Sequence, residues 1–492
     1  MNLRTFATTV GIFLSCLTST LSVALDLFVP VESNNSKKSA SIGSEARAIR
    51  FLAGGLQALK PGDQVTLSLP GNRTYQVTMR RLERHSTEVA TWYGGVGESG
   101  GDFDIIATTG PGGTYASIKT PDGEFAIVPG DVHDWLVDAT AERLTRPARS
   151  QQDDVDLPPE DLAKLMGRPA RGKADPVCPE VTAMPSPRVT VDIMFVYTPD
   201  FESAHGVANV QTRLNNLIAN ANSLYTQSNV AITLRMVNSL RVELPGPDQL
   251  SDSAALTQMR EGFDGTGGTG VFANVKVLRT QFGADMVALM RGPHGDRSIS
   301  GIASVGGFNQ QEFSLFSGFM YSVNGDAPGF DAQLFVHELG HNMGNMHDRA
   351  NAGKDGQGAT QIGATSYAYG YVVCGSGAVA GCPNISGFQS AGTGFGTIMS
   401  YYDPPAAKFS NPNLSCKGTS GGTITAACGV AGGLANAADD VRSMNCMREK
   451  LAAMKPTMVS TCTDAAKDTD GDGIPDCTEA TEGRNAAVKD ND

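Results

Sequence analysis

Residues 337–348 read HELGHNMGNMHD. His337 and His341 stand four apart, a spacing that puts two imidazoles on one helix face, one turn from each other. Glu338 follows the first of them, where a carboxylate can act as general base on a metal-activated water. Gly344 lets the chain leave the helix sharply, because glycine tolerates the left-handed backbone that ends helices. The turn then returns His347 as a third ligand. Three protein ligands with a fourth position open describe a catalytic zinc site rather than a closed structural one.

Such a site needs a helix to carry the first two histidines and a scaffold to hold the third. FDAQLFV, just before the motif, is a suitable helix start. Upstream, VTVDIMFVY has the unbroken apolar character of a buried strand, residues 207–227 have helical apolar spacing, and VAITLRMVNSL is a second strand. LRTQFGADMVALMRG predicts a helix, a turn and a central strand, and SISGIASVGGF a short strand at a sheet edge. A helix is predicted over 434–453. Strands and helices interleaved in this way indicate a mixed α/β (α+β) domain.

Residues 25–145 differ. QVTLSLP, YQVTMRRL, FDIIATTG, YASIKT and EFAIVPG alternate apolar and polar residues between turns, the pattern of a β-rich domain. It has no cluster of catalytic residue types. Residues 146–187 are polar, charged and proline-containing, which predicts an exposed linker open to proteolytic processing near Arg149 or Arg171. The economical reading is a propeptide (25–145) followed by a processing linker; a permanent substrate-binding domain is the alternative. His205 and His294 are expected to be solvated loop residues.

The chain of 492 residues has a formal net charge of −13 and a pI near 5.0. That balance argues against nucleic acid or anionic membrane as a partner. Residues 1–24 combine Arg4, an apolar stretch and a small-residue step at Ser22-Val23-Ala24, which predicts a signal peptide for export; no transmembrane anchor is expected elsewhere. Of nine cysteines, Cys16 would leave with that segment. The remaining even number suits disulfides in an oxidising compartment, with Cys374/Cys382 and Cys416/Cys428 as local pairs.

HELGHNMGNMHD, with Asp348 directly after the third histidine, resembles the reprolysin or adamalysin branch of the metzincin zinc proteases. VDIMFVYTP, QFGADMVALM, GIASVG and FSNP are similar to bacterial secreted peptidases of that type. The likeness spans residues 188–455. It implies a twisted, mostly parallel sheet with the zinc helix at its base and a small irregular C-terminal subdomain. Substrate would lie between the two, paired with an edge strand for which Gly301, Ile302 and Ala303 are candidates. It further implies Zn2+ on His337, His341 and His347, with Glu338 as general base. Met399, in GFGTIMSYYDP, would be the Met-turn residue that forms an apolar floor under the metal. Tyr401 would either contact the zinc or transition state or only pack, and Asp348 would hold the turn after His347.

Two features lie outside that core. Cys178 could act as a cysteine switch, its thiolate filling the open zinc position until cleavage. The even cysteine count favours a disulfide instead, with Cys446 on the last helix as partner. In the tail 456–492, DTDGDGIPDCTE sets Asp468, Asp470, Asp472, Asp476 and Glu479 at positions 1, 3, 5, 9 and 12 of a calcium loop. Pro475 and Cys477 depart from an EF-hand, and the segment is similar to one thrombospondin type 3 repeat holding structural Ca2+. The whole chain reads as an exported zinc endopeptidase for protein or peptide substrates, with its own propeptide as inhibitor. The alternative is a calcium-dependent surface-binding protein with a vestigial zinc site.

Overall fold

The first strands of the chain close a barrel. A computed structural model describes residues 25–32, 46–97, 103–140, 155–156, 174–261, 267–295, 299–329, 332–354, 358–375, 389–390, 393–403, 405–418, 422–458 and 469. Its N-terminal part comprises β1 (Leu25–Asp26), β2 (Phe28–Pro30), β3 (Arg47–Phe51), β4 (Gln64–Leu69), β5 (Arg73–Arg84), β6 (Ala90–Val96), β7 (Asp104–Gly110), β8 (Gly113–Thr120), β9 (Gly123–Val128) and β10 (Asp134–Asp138). They form one ten-stranded sheet in the order β1-β4-β5-β6-β7-β8-β9-β10-β3-β2. Leu27 alone separates β1 from β2, so the two ends of the sheet meet. Its N–H donates to the Thr66 carbonyl and its carbonyl accepts from Leu52. Inward-facing residues such as Val65, Leu67, Val77, Ile105, Ile118, Phe125 and Ile127 fill the interior. Each such aliphatic burial contributes about 1.5–3 kcal/mol before entropy is counted.

The second unit is built on β12 (Val189–Tyr197), β13 (Ile232–Arg241), β14 (Met286–Arg291), β15 (Gly301–Ser304) and β16 (Tyr321–Gly325). β12 to β14 and β16 run parallel, and β15 lies antiparallel beside β16. β14 is buried along its whole length, as expected of a central strand covered on both faces. One face carries α1 (Val210–Ser228), α4 (Gln333–Asn342) and α5 (Asp440–Leu451) in a single apolar cluster. The other carries α2 (Asp252–Met259) and α3 (Ala273–Phe282). The last helix starts later than residue 434 because Asp439 caps it, accepting from the Arg442 N–H at 3.2 Å. Ala438 is held outside it by bonding to Val430.

The barrel packs on α1. β6 and β7 are almost wholly buried because one face fills the barrel and the other meets the helix, where Tyr93 and Ile106 touch Ala219. Ser117 donates to Asn220 at 2.6 Å, and Ser223 to Asp104 at 2.7 Å. His205 is not solvated as expected. It is buried at this junction, Nδ1 at 2.7 Å from the Tyr115 hydroxyl and Nε2 at 3.2 Å from Asp326. Arg213 clamps Asp326 with two bonds of 2.6 and 2.7 Å. Burial lowers the His205 pKa, against the opposing pull of the Asp326 carboxylate. The linker also departs from expectation: Val155–Asp156 form β11, paired parallel to Ala303 and Ser304 at the outer edge of β15. Among the described residues, no helix is long and apolar enough to cross a membrane.

Candidate metal centre

Every residue of α4 is buried, so its histidines are aimed by packing rather than by solvent. The rings of His337 and His341 lie 4.8 Å apart on one face. Gly344 has φ of 94°, and a β-carbon there would come within 2.5 Å of the Ala364 methyl. The position is closed to other residues both by backbone and by space. The chain then turns, Met346 pairs with Tyr369, and His347 comes back to the helix. Ligand atoms of the three imidazoles all lie within 4.8 Å of one another, and the His341 and His347 Nε2 atoms are 3.1 Å apart.

The donor set suits zinc. His337 Nδ1–H donates to the Ile398 carbonyl at 2.7 Å, and His341 Nδ1–H to the Asn345 carbonyl at 2.9 Å. An imidazole that donates through Nδ1 presents a lone pair at Nε2, the tautomer a metal needs. These two carbonyls are functional groups that sequence reading missed, since any residue can supply them.

Met399 is fully buried under the helix. A β-carbon at Gly340 would strike the Met399 sulfur and sit 3.1 Å from the Phe409 ring, so the glycine is what lets the loop approach. The Tyr401 ring lies 4.2 Å from that of His347. Asp348 accepts from Asn351 at 2.8 Å, from the Ala350 N–H at 3.2 Å and from the Tyr401 N–H at 3.4 Å. Glu338, also fully buried, lies against Gly301 of β15. Ile302 and Ala303 continue that strand, with β11 on its outer side.

The cysteine-switch alternative is overturned: the Cys178 sulfur is bonded to Cys446 and so offers no free thiolate to a metal. Arg442 reinforces the anchor, donating twice to the Cys178 carbonyl. Cys416 and Cys428 are bonded as expected. Cys374 is disulfide-bonded, while Cys382, its expected partner, lies outside the described residues. So do Asp468, Asp470, Asp472, Asp476 and Glu479, and the leader 1–24.

Comparison with known proteins finds two matching families and several similar proteins. Residues 188–410 match the family profile Reprolysin_5, metallo-peptidase family M12, and residues 24–141 match that of the BamI lipocalin-like domain. A peptidyl-Asp metalloendopeptidase of Pseudomonas aeruginosa is 27% identical over 286 residues, covering 55% of this chain. The chain spans 41% of that relative's length. Among solved structures, metalloproteinase-II from Bacteroides fragilis aligns with a TM-score of 0.38 at 12% identity, over 63% of this chain and 89% of its own. A chaperone-substrate complex aligns at 0.36 and 17%, over 71% of this chain and 39% of its own. The stretch that the M12 profile recognises is the one that carries the parallel sheet, the histidine helix and the Met399 loop, so residues 188–410 are similar in sequence to reprolysin-like metallopeptidases.

Proposed function

We propose that the chain is a zinc-dependent endopeptidase, exported and made as a zymogen. One observation carries this reading: three buried imidazoles converge beside a glutamate that borders the sheet edge. Zinc held by His337, His341 and His347 supplies Lewis-acid activation of a water and of the scissile carbonyl. An extended peptide is held by backbone hydrogen bonds along β15. Glu338 takes the proton from the attacking water and passes it to the leaving amine nitrogen. Gly301, having no side chain, is what lets that carboxylate lie directly against the edge strand. Tyr401, whose ring lies beside that of His347, would donate its phenol to the carbonyl oxygen as charge develops there.

Substrates are proteins or peptides; the Pseudomonas relative is named for peptidyl-Asp bonds. The barrel is the propeptide, released by processing in 146–173, and the acidic tail 456–492 holds structural calcium. The disulfides Cys178–Cys446 and Cys416–Cys428 fit an oxidising, extracellular setting.

The test is casein hydrolysis by processed protein, wild type beside Glu338→Ala, with zinc content measured for both. Glu338→Ala should retain zinc and lose about 10²–10⁴-fold of activity, and a chelator should abolish activity in the wild type. Near-wild-type hydrolysis by the variant would remove Glu338 from the reaction. An inert, zinc-loaded wild type would point to a binding protein.

A further inference from the structure

We infer that Arg260 and Ser304 form a subsite for an acidic side chain on the substrate edge strand, and that Asp156 fills it in cis until the chain is cut beyond it. The inference rests on the endopeptidase reading and deepens it. The Asp156 carboxylate accepts from the Ser304 hydroxyl at 2.8 Å and forms an ion pair with the Arg260 guanidinium. Both charged side chains are 15% exposed, so the pair is largely withdrawn from water, where charge-assisted bonds discriminate best.

The two residues of β11 divide between the faces of the sheet, as a strand requires. Val155 turns toward Met346 and Tyr369, beside the third histidine. Asp156 turns to the opposite face, where Arg260 leaves the end of α2 and rests 5.5 Å from the Phe319 ring. The neighbouring carboxylate cannot take its place: Glu261 is engaged by Arg279 at 3.2 Å and by the Tyr321 hydroxyl at 2.6 Å. The acid that neutralises Arg260 therefore comes from a segment 104 residues earlier in the chain. Once that segment leaves, the Ser304 hydroxyl on the strand that receives substrate and the Arg260 guanidinium beside it remain, a pair suited to a carboxylate.

Position along the strand sets which substrate residue is read. Gly301 borders Glu338, and Ser304 lies three residues further, about 10 Å along the strand. The selected residue is thus an aspartate or glutamate two to three positions from the bond that is cut, facing away from α4. The same placement decides which processing event activates. A cut after Arg149 leaves β11 attached to the catalytic unit, whereas a cut after Arg171 separates it.

Two measurements test this on the secreted chain, carrying an engineered protease site at 149 or at 171 and processed there. Quenched peptides place Asp or Asn at each of the positions flanking the scissile bond. Protein cut at 171 should favour Asp by roughly tenfold or more in kcat/KM at one position two or three residues away. Arg260→Gln should bring that ratio to about one, and protein cut only at 149 should stay inhibited. Equal Asp and Asn rates, or a ratio that Arg260→Gln leaves in place, would overturn the subsite. Full activity after the cut at 149 would overturn its occupation in cis.

The second measurement does not depend on turnover. A fluorescent peptide QQDDVDLPP should bind Glu338→Ala protein cut at 171, and its Asp156→Asn version at least roughly tenfold more weakly. Arg260→Gln protein should not distinguish the two peptides. Arg260-dependent binding without casein hydrolysis by the wild type would refute the peptidase reading alone. Hydrolysis with equal binding of both peptides would refute the subsite alone.

Discussion

A β-carbon built on Gly301 would stand 2.7 Å from the carboxyl carbon of Glu338. The edge strand and the proposed base are thus packed to the limit of a hydrogen atom. Gly301→Ala should push the carboxylate aside and lower kcat by about tenfold to a hundredfold, since small displacements of reacting groups are costly. Zinc content should match wild type. Unchanged kcat with full zinc would mean that Glu338 has slack the packing does not suggest.

Asp348 links the loop after His347 to the backbone of Tyr401. Asp348→Ala should free both, weakening zinc binding by about 10–100-fold, the usual range for residues supporting a ligand. Competition with a calibrated chelator measures this. Affinity equal to wild type would confine the Asp348 contacts to local loop structure.

Cys178 and Cys446 close a span of 268 residues. Replacing both with serine should cost about 2–5 kcal/mol, read as a lower urea midpoint with secondary structure retained. Alkylation of the native unprocessed chain should neither label Cys178 nor release activity. A reactive thiol at Cys178 would contradict the bond.

Burial raises the Asp439 pKa from 3.8 to about 7. Between about pH 4 and pH 7 the folded state keeps a proton that the unfolded state has lost, so stability falls as pH rises through that window. Asp285, raised by burial to about 7, acts in the same direction. Asp439→Asn retains a good helix cap and should flatten part of the slope. Urea midpoints at pH 5 and pH 8 for wild type and variant check it; an unaltered difference would show that Asp439 ionises normally.

The metal centre was legible because its information is local. His337, His341, Gly344 and His347 lie within one turn and one loop, and helical geometry converts their spacing directly into position. The strands β12 and β14 and the edge GIASVG were legible for a similar reason, since burial on one or both faces writes itself into apolar pattern. What depends on distant pairing was not. His205 looked solvated because its partners, Tyr115 and Asp326, are supplied by other parts of the chain. The polar composition of residues 146–187 suggested an exposed linker, yet Val155 and Asp156 are ordered by a strand edge far downstream. Composition reports the average surroundings of a segment, and two residues held by backbone bonds barely alter it.

The N-terminal barrel has a clasp, and the clasp is its first six described residues. β1 fastens to β4 and β2 to β3, while β3 also receives β10. The piece that completes the ring is thus synthesised first and its partner strands are complete by Leu69, whereas the ring itself closes only when β10 reaches β3. Trimming the chain past Pro30 would leave the other strands intact but unfasten the ring, presenting two raw rims of unpaired peptide groups. Such rims recruit strands from neighbouring molecules. Clumping, more than loss of folded structure, is the failure such a truncation invites.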